Sequence, residues 1–412
     1  MKSYVPPADK SITIRALLLA ALARGSARIE NPLSCEDTEA ALCCLTALGV
    51  KTAVDGNAFI VAGEGPEGLR QPAGPLDAGE SGALARLLAG VLAGRPFPSE
   101  ITGRGSLLKR PMLPLAKALS KLGARISTNK GLLPVSIAPA LLRGARISGV
   151  ESAQVKSAFL LAGLQAAGPS GIKEKFQTRD HTERLLALMG AGIKMAPRRT
   201  ALAPGPLTAR PLTVPGDISS AAPFIAAALL SNQPLRINSC GLNQTRLGFV
   251  RTLLKMGAKI DLKVNSAFPE PEGSIEILPS KLKAVRVLPA EIPAMIDEVP
   301  LLAVVAARAK GKTVISGIEG LRKKESDRIE STLALLAALG VKASYKKGSL
   351  TITGQSKFKA AGPVETFSDH RIAMAAAAAS TACPGLKIKN PGCVNKSYPG
   401  FWRDFKKIFK AL

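Results

Sequence analysis

"LTALGV" at residues 45–50 returns as "LSKLGARI" (119–126), "LALMGAGI" (186–193), "LLKMGAKI" (253–260) and "LAALGVKA" (336–343). Each phrase closes an amphipathic run at a glycine: Gly49, Gly123, Gly190, Gly257 and Gly340. Glycine is the residue that most readily ends a helix in a left-handed turn. A strand-like run, a polar turn and usually a second strand follow each stop, as in "VKTAVDGNAFIVAG" (50–63) and "VKASYKKGSLTITG" (341–354);. The phrase recurs about every 70 residues, and a period of that length marks one supersecondary unit copied along the chain.

A second series lies between these phrases. Apolar helices are expected to end near Gly25, Gly94, Gly168, Asn232, Gly311 and Pro384, each followed by an extended stretch such as "SARIENPL" (26–33) or "KTVISGIEGL" (312–321). The two series give six β-α-β-α-β-β units, the sixth truncated in "FWRDFKKIFKAL" (401–412). A chain of 412 residues exceeds one ordinary core, so two α/β domains of three units each are expected;.

Composition narrows the function classes. A 46% hydrophobic content describes a globular chain;. No run of 18 apolar residues predicts a membrane span, and no secretion signal is expected at the N-terminus. The six cysteines form no C-x-x-C pair and only His181 and His370 are present, which speaks against a structural zinc site and suits the cytoplasm;. Lys and Arg outnumber Asp and Glu by 56 to 30, a net charge of +26 that points to acidic partners;. Aromatics are only 4%, and the basic residues are spread along the chain, so stacking recognition of nucleic acid is not expected;. "GEGPEG" (63–68) fits a dinucleotide fingerprint but precedes "LRQPAGP", which cannot open a helix;.

The polar residues gather where the first-series helices begin. They read "DKSITIR" (9–15), "GESGALAR" (79–86), "SAQVKS" (152–157), "GDISSA" (216–221), "IDEVP" (296–300) and "SDHR" (368–371). The second helices add "KRP" (109–111), "TRDHTER" (178–184) and "KKESDR" (323–328). The first N–H groups of a helix are unpaired and its dipole favours negative charge there. Helix starts rich in Ser, Gln, Arg and His therefore predict an anion site.

These segments resemble the 5-enolpyruvylshikimate-3-phosphate synthases over essentially the whole chain. "DKSITIRALLLAALARG", "LDAGESGALARLLAG", "SLLKRPM", "SAQVKSAFLLAGL", "TRDHTERLL", "VPGDISSAAPFIAAALL", "IDEVPLLAVVAARAKG", "LRKKESDRI", "FSDHRIAMA" and "NKSYPGF" occur in the family's order. The resemblance implies a two-domain inside-out α/β barrel, helices inside and sheets outside. It implies one domain at 10–213, another at 1–9 plus 214–412, and a site in the cleft between them. The implied reaction moves the enolpyruvyl group of phosphoenolpyruvate to the 5-hydroxyl of shikimate 3-phosphate and releases phosphate, a step toward chorismate and the aromatic amino acids. No metal or organic cofactor is expected, and the family precedent is a cytoplasmic monomer.

By the same resemblance Lys10, Ser11, Arg15, Ser152, Ala153, Gln154, Arg179, Asp297 and Lys324 hold shikimate 3-phosphate. Lys10, Gly82, Arg110, Gln154, Arg328, Arg371 and Lys396 hold phosphoenolpyruvate. Asp297 accepts the hydroxyl proton, Glu325 moves the methyl proton, and Lys10 and His370 complete the catalytic group. Glu183, Glu298 and His181 are read as structural. Ala8, Glu80, Ala83, Pro223 and Asn390 depart from the commoner family pattern without removing a catalytic group. Two other readings stand beside this one. A UDP-N-acetylglucosamine enolpyruvyl transferase would open with Lys-Asn in place of Lys10-Ser11 and use a loop cysteine, and the 79–115 stretch has none. An RNA-terminal-phosphate cyclase-like enzyme would need ATP and a nucleophilic histidine.

Overall fold

A computed structural model describes residues 1–409; residues 410–412, the end of the truncated sixth unit, lie outside the described residues. Among the described residues twelve α-helices follow one another. They are α1 (Lys10–Leu22), α2 (Glu36–Ala47), α3 (Gly82–Leu92), α4 (Leu113–Ser120), α5 (Ala153–Gly163), α6 (His181–Leu188), α7 (Ile218–Ser231), α8 (Gly248–Lys255), α9 (Val299–Ala306), α10 (Arg328–Ala338), α11 (His370–Ser380) and α12 (Phe401–Phe409). None of the described helices is long and apolar enough to cross a membrane.

The two helix series differ in burial for a reason visible in their composition. Odd-numbered helices are buried along nearly their whole length and mostly apolar. All of Ile12–Leu22 in α1, Ile218–Leu230 in α7 and Val299–Ala306 in α9 is buried. A helix apolar all round must sit inside a core. Even-numbered helices through α10 bury only one face, as α8 does with Gly248, Phe249, Val250, Thr252 and Leu253.

The strands repeat one topology five times. In the second unit, Leu76–Asp77 runs parallel to Ser99–Thr102, which pairs antiparallel with Leu132–Ala138, itself antiparallel to Arg125–Asn129. The parallel pair brackets α3, so this repeat is a β-α-β crossover followed by a hairpin, as are those around α5 and α9;. The same order recurs around Ser170–Glu174, Leu235–Gly241 and Lys312–Ser316, and the sheets are open. In the sixth repeat the crossover shrinks to a single parallel bridge, Val364 to Ile388. Its hairpin is replaced by α12, whose Phe401, Phe405 and Phe409 pack around Phe224.

The chain divides into two compact units, each with its own apolar core. One comprises Met1–Pro7, Pro215–Ala267 and the chain from Pro271 onward; the other comprises Ala8–Val214 and Phe268–Glu270. The short segment Phe268–Glu270 differs from the boundaries read from sequence, and a buried hydrogen bond explains it. Glu270 Oε1 lies 2.7 Å from Nδ1 of buried His181 in α6. The edge strands are far from their partners in sequence yet stay within one unit: Lys2–Tyr4 pairs with Leu235–Gly241, and Leu207–Thr208 and Leu212–Thr213 pair with Ala23–Glu30.

All five phrase glycines adopt positive φ, from 67° at Gly340 to 91° at Gly257, as helix stops require;. Gly25 is a correction. The helix ends at Leu22, and Gly25 lies inside the strand Ala23–Glu30, because Ala23 already turns to extended backbone. Gly90 has a packing role. A Cβ there would sit 2.3 Å from the carbonyl oxygen of Ala158 in α5. Gly90→Ala is expected to cost about 1–3 kcal/mol by overpacking two buried helices, read as a lower thermal midpoint. Gly74→Ala, with open space around the new methyl, is expected to leave the midpoint unchanged. Equal midpoints for the two variants would contradict the close α3–α5 approach.

Candidate active site

In the Ala8–Val214 unit the predicted residues sit at the N-terminal ends of buried helices. Asp9 caps α1 by accepting from the Ile12 N–H at 2.9 Å, Ser81 caps α3 and Ser152 caps α5. Such side-chain caps satisfy the donors nearest the site. Lys10 and Ser11 open α1, and Arg15 lies one turn in, where its Nη1 donates to the Ser11 carbonyl at 2.8 Å. The Lys10 ammonium lies 2.8 Å from Asp37 of α2.

Side-chain bonds tie these starts together. Arg15 Nε donates to Thr182 of α6 at 2.9 Å and its Nη2 to Ser157 of α5 at 3.2 Å. Arg86 of α3 donates to Oε1 of Gln154 at 2.9 Å and to the Pro111 carbonyl at 2.9 Å. Ser152, Ala153 and Gln154 thereby share one end of the helix layer with Gly82. A Cβ at Gly82 would lie 2.5 Å from Nη1 of Arg110 and 2.7 Å from Nη1 of Arg86, so only glycine lets both guanidinium groups approach;. Arg179 lies in the loop just before α6.

In the other unit the predicted residues converge on Arg328, the first residue of α10 and 1% exposed. Its Nε and Nη2 reach the two oxygens of Asp369 at 2.8 and 3.2 Å. Its Nη2 also donates to Glu325 at 2.6 Å, and its Nη1 to Asp297 Oδ1 at 3.1 Å. Lys324 donates to that same Asp297 oxygen at 3.2 Å. The segment "KKESDR" is therefore no solvated charge run. Asp297 lies in a short 3₁₀ turn before α9. His370 opens α11 and is buried, Arg371 follows it, and Lys396 ends the 3₁₀ turn Pro391–Lys396.

Charge follows from this geometry. Burial opposes the Arg328 charge, yet Asp369, Glu325 and Asp297 together raise its pKa further above the ordinary value. Burial likewise opposes the Asp369 carboxylate, but Arg328 and then His370 hold its pKa below the ordinary 3.8. Both groups stay ionised.

Several contributors lie outside the predicted set. Asp369 both caps α11, accepting from Arg371 N–H at 2.9 Å, and pairs Arg328. The "SDHR" segment pointed to it, but a cap and an ion-pair partner look alike in sequence. Arg371 Nη1 donates to the Ser219 carbonyl at 3.2 Å. That carbonyl lacks its usual helix donor, because Pro223 stands four residues on within α7;. Ser219 Oγ in turn bonds to Glu298, and Arg246 donates to Ser219 Oγ at 2.7 Å and Asp217 at 3.0 Å.

Three comparisons bear on these two sets of residues. The sequence profile for EPSP synthase (3-phosphoshikimate 1-carboxyvinyltransferase) matches residues 4–405. A 3-phosphoshikimate 1-carboxyvinyltransferase from Lactiplantibacillus plantarum is 40% identical, over 98% of this chain and 96% of that protein. One from Desulforudis audaxviator is 42% identical, over 96% and 94%. Among solved structures, EPSP synthase from Acinetobacter baumannii matches with a TM-score of 0.84 and 36% identity, over 98% of this chain and 95% of that one. The enolpyruvyl transferase NikO from Streptomyces tendae, at 19% identity and a TM-score of 0.78, shares the fold.

The depressed Asp369 carboxylate makes a stability test. Near and below its ordinary value of 3.8 the unfolded chain takes up a proton that the native chain refuses;. Its contribution is complete above that value and is lost as the pH falls through the depressed one. Asp369→Asn is expected to lower stability at neutral pH by about 1.5–3 kcal/mol, the scale of a hydrogen bond to a charged group, since it removes one of three carboxylates that pair the buried Arg328;. It should also flatten the acid limb of thermal midpoint against pH. An unchanged acid limb would show that Asp369 does not carry it.

Proposed function

The chain belongs to the EPSP synthase family, and from that premise we propose how its residues divide the family's reaction. It is a transferase. It moves the 1-carboxyvinyl group of phosphoenolpyruvate to the 5-hydroxyl of shikimate 3-phosphate and releases phosphate, in the pathway that leads to the aromatic amino acids. The hydroxyl oxygen attacks C2 of phosphoenolpyruvate while C3 takes a proton. The resulting tetrahedral adduct expels phosphate, and a proton leaves C3 to restore the double bond.

In our reading the Ala8–Val214 unit supplies the anion-binding half. Lys10, Ser11, Arg15, Ser152, Ala153, Gln154 and Arg179 bind shikimate 3-phosphate, with the unpaired N–H groups of helix starts aiding the guanidinium groups. Gly82 and Arg110 belong to the phosphoenolpyruvate side. The second unit supplies Arg328, Arg371 and Lys396 for phosphoenolpyruvate, and Lys324 for the region of the reacting hydroxyl.

Asp297 takes the hydroxyl proton and Glu325 carries the proton to and from C3, with Lys10 and His370 assisting. The observation that carries this assignment is Arg328. It donates to both carboxylates, to Asp297 at 3.1 Å and to Glu325 at 2.6 Å, and so holds a base and an acid side by side on one rigid cation. Two carboxylates of different role need such fixed, unequal surroundings. The enzyme acts in this reading as a cytoplasmic monomer; its six cysteines are all free thiols, which fits a reducing compartment;.

Phosphate release from phosphoenolpyruvate by the purified protein, with and without shikimate 3-phosphate and with no added metal, tests the proposal. Release is expected only with both substrates. Asp297→Ala is expected to slow it by about 10²–10⁴-fold, the usual scale of a lost general base. Release driven by UDP-N-acetylglucosamine or by RNA ends would overturn the substrate assignment. Full activity in Asp297→Ala would remove the proposed base.

A further inference from the structure

Lys156 is among the largest fully buried side chains of the described residues, at 0% exposure, and the proposed reaction does not use it. It lies two residues after Gln154 in α5. Its ammonium is 2.7 Å from Glu183 Oε1 in α6 and 3.2 Å from Glu174 Oε1 at the end of the strand Ser170–Glu174. Both glutamates are buried as well. Burial pushes the Glu183 carboxyl upward, with Lys156 opposing.

Each partner of Lys156 leads directly to a segment of the shikimate 3-phosphate half. Glu174 accepts the backbone N–H of Thr178 at 3.0 Å and bonds its hydroxyl, which pins the loop that carries Arg179. Glu183 is the neighbour of Thr182. Thr182 accepts from Arg15 Nε at 2.9 Å and donates to Ser157 at 2.7 Å, while Ser157 accepts from Arg15 Nη2 at 3.2 Å. Lys156 is the neighbour of Ser157. One buried cation thus joins α5, α6 and the strand before Arg179. Two hydroxyls then pass that geometry to Arg15.

A buried ion cluster is a poor source of stability, because packed apolar side chains of similar volume hold a core as well. A fixed geometry for charged ligand-binding groups is a use that apolar side chains cannot supply. We propose that Lys156, with Glu174 and Glu183, is a positioning residue for shikimate 3-phosphate, acting through Thr182 and Ser157 to aim Arg15. The inference rests on the reading of this half as the shikimate 3-phosphate site.

The experiment is calorimetric titration of shikimate 3-phosphate alone into the wild-type chain, Thr182→Val, Thr182→Ser and Lys156→Met, with steady-state kinetics beside it. Thr182→Val cuts the link to Arg15 and leaves the ion cluster intact, so it carries the test should Lys156→Met fail to fold. Both substitutions are expected to weaken shikimate 3-phosphate binding about tenfold, the low end for an outer-shell partner of a binding group. Thr182→Ser should bind as the wild type does. The KM for phosphoenolpyruvate and kcat at saturating shikimate 3-phosphate should not move. Wild-type affinity in Thr182→Val would overturn the proposal, as would a fall in kcat with both KM values unchanged, the mark of a smaller folded fraction. A wild-type chain that takes up no shikimate 3-phosphate would instead strike down the functional reading on which the inference stands.

Discussion

A helix buried on every side can offer polar chemistry only at its ends. That constraint organises the molecule. The inner helices α1, α3, α5, α7, α9 and α11 give their flanks to the two cores, and at five of the six starts a capping side chain bonds a backbone N–H: Asp9, Ser81, Ser152, Asp217 and Asp369. Capping takes up one or two of the unpaired donors and leaves the remaining field of the helix start available to an anion. The sixth start, α9, has no side-chain cap, and there the chain enters through the 3₁₀ turn that carries Asp297. Residues placed at these ends are held by helices packed into the cores, and a site built on packed helices is more accurate than one built on loops;.

The second consequence concerns charge. A guanidinium or ammonium drawn into the layer beneath the helix starts needs a carboxylate beside it, since an unpaired buried charge is costly. Arg328 has Asp369, Arg246 has Asp217 and Lys156 has Glu174 and Glu183. Many lysines and arginines behind the +26 total lie exposed on strands and turns, Lys259, Lys263 and Arg286 among them.

How much of this was legible in the sequence depended on whether a residue's type states its task. The five phrase glycines could be read as helix stops because positive φ selects glycine, and their backbone adopts it;. Gly25 misled, because a glycine just past an apolar run also fits a strand. The edge strands themselves were hidden: Lys2–Tyr4 and Leu212–Thr213 are three and two residues long, too short to show an alternation;. The helix-start residues were found by type and place together. Arg86, Lys156, Glu174 and Arg246 were not singled out, because a charged residue looks the same in sequence whether water or a buried partner surrounds it.

Pro223 shows how local propensity and tertiary need can part. Proline inside a helix removes one backbone donor, and the sequence alone reads it as an interruption. Here α7 runs through it without a break from Ile218 to Ser231, held by burial on all sides. The missing N–H is the one that would have bonded to the Ser219 carbonyl, and Arg371 Nη1 occupies that carbonyl at 3.2 Å. The Glu298 carboxylate, 3.9 Å from the same Nη1, adds charge on the same side. The helix loses one internal bond and the buried carbonyl still has a donor, so the account of backbone partners closes. In return, an arginine of the proposed phosphoenolpyruvate set is anchored to the backbone of a buried helix. A residue that departs from the commoner pattern of its family is in this way consistent with the rest of the site.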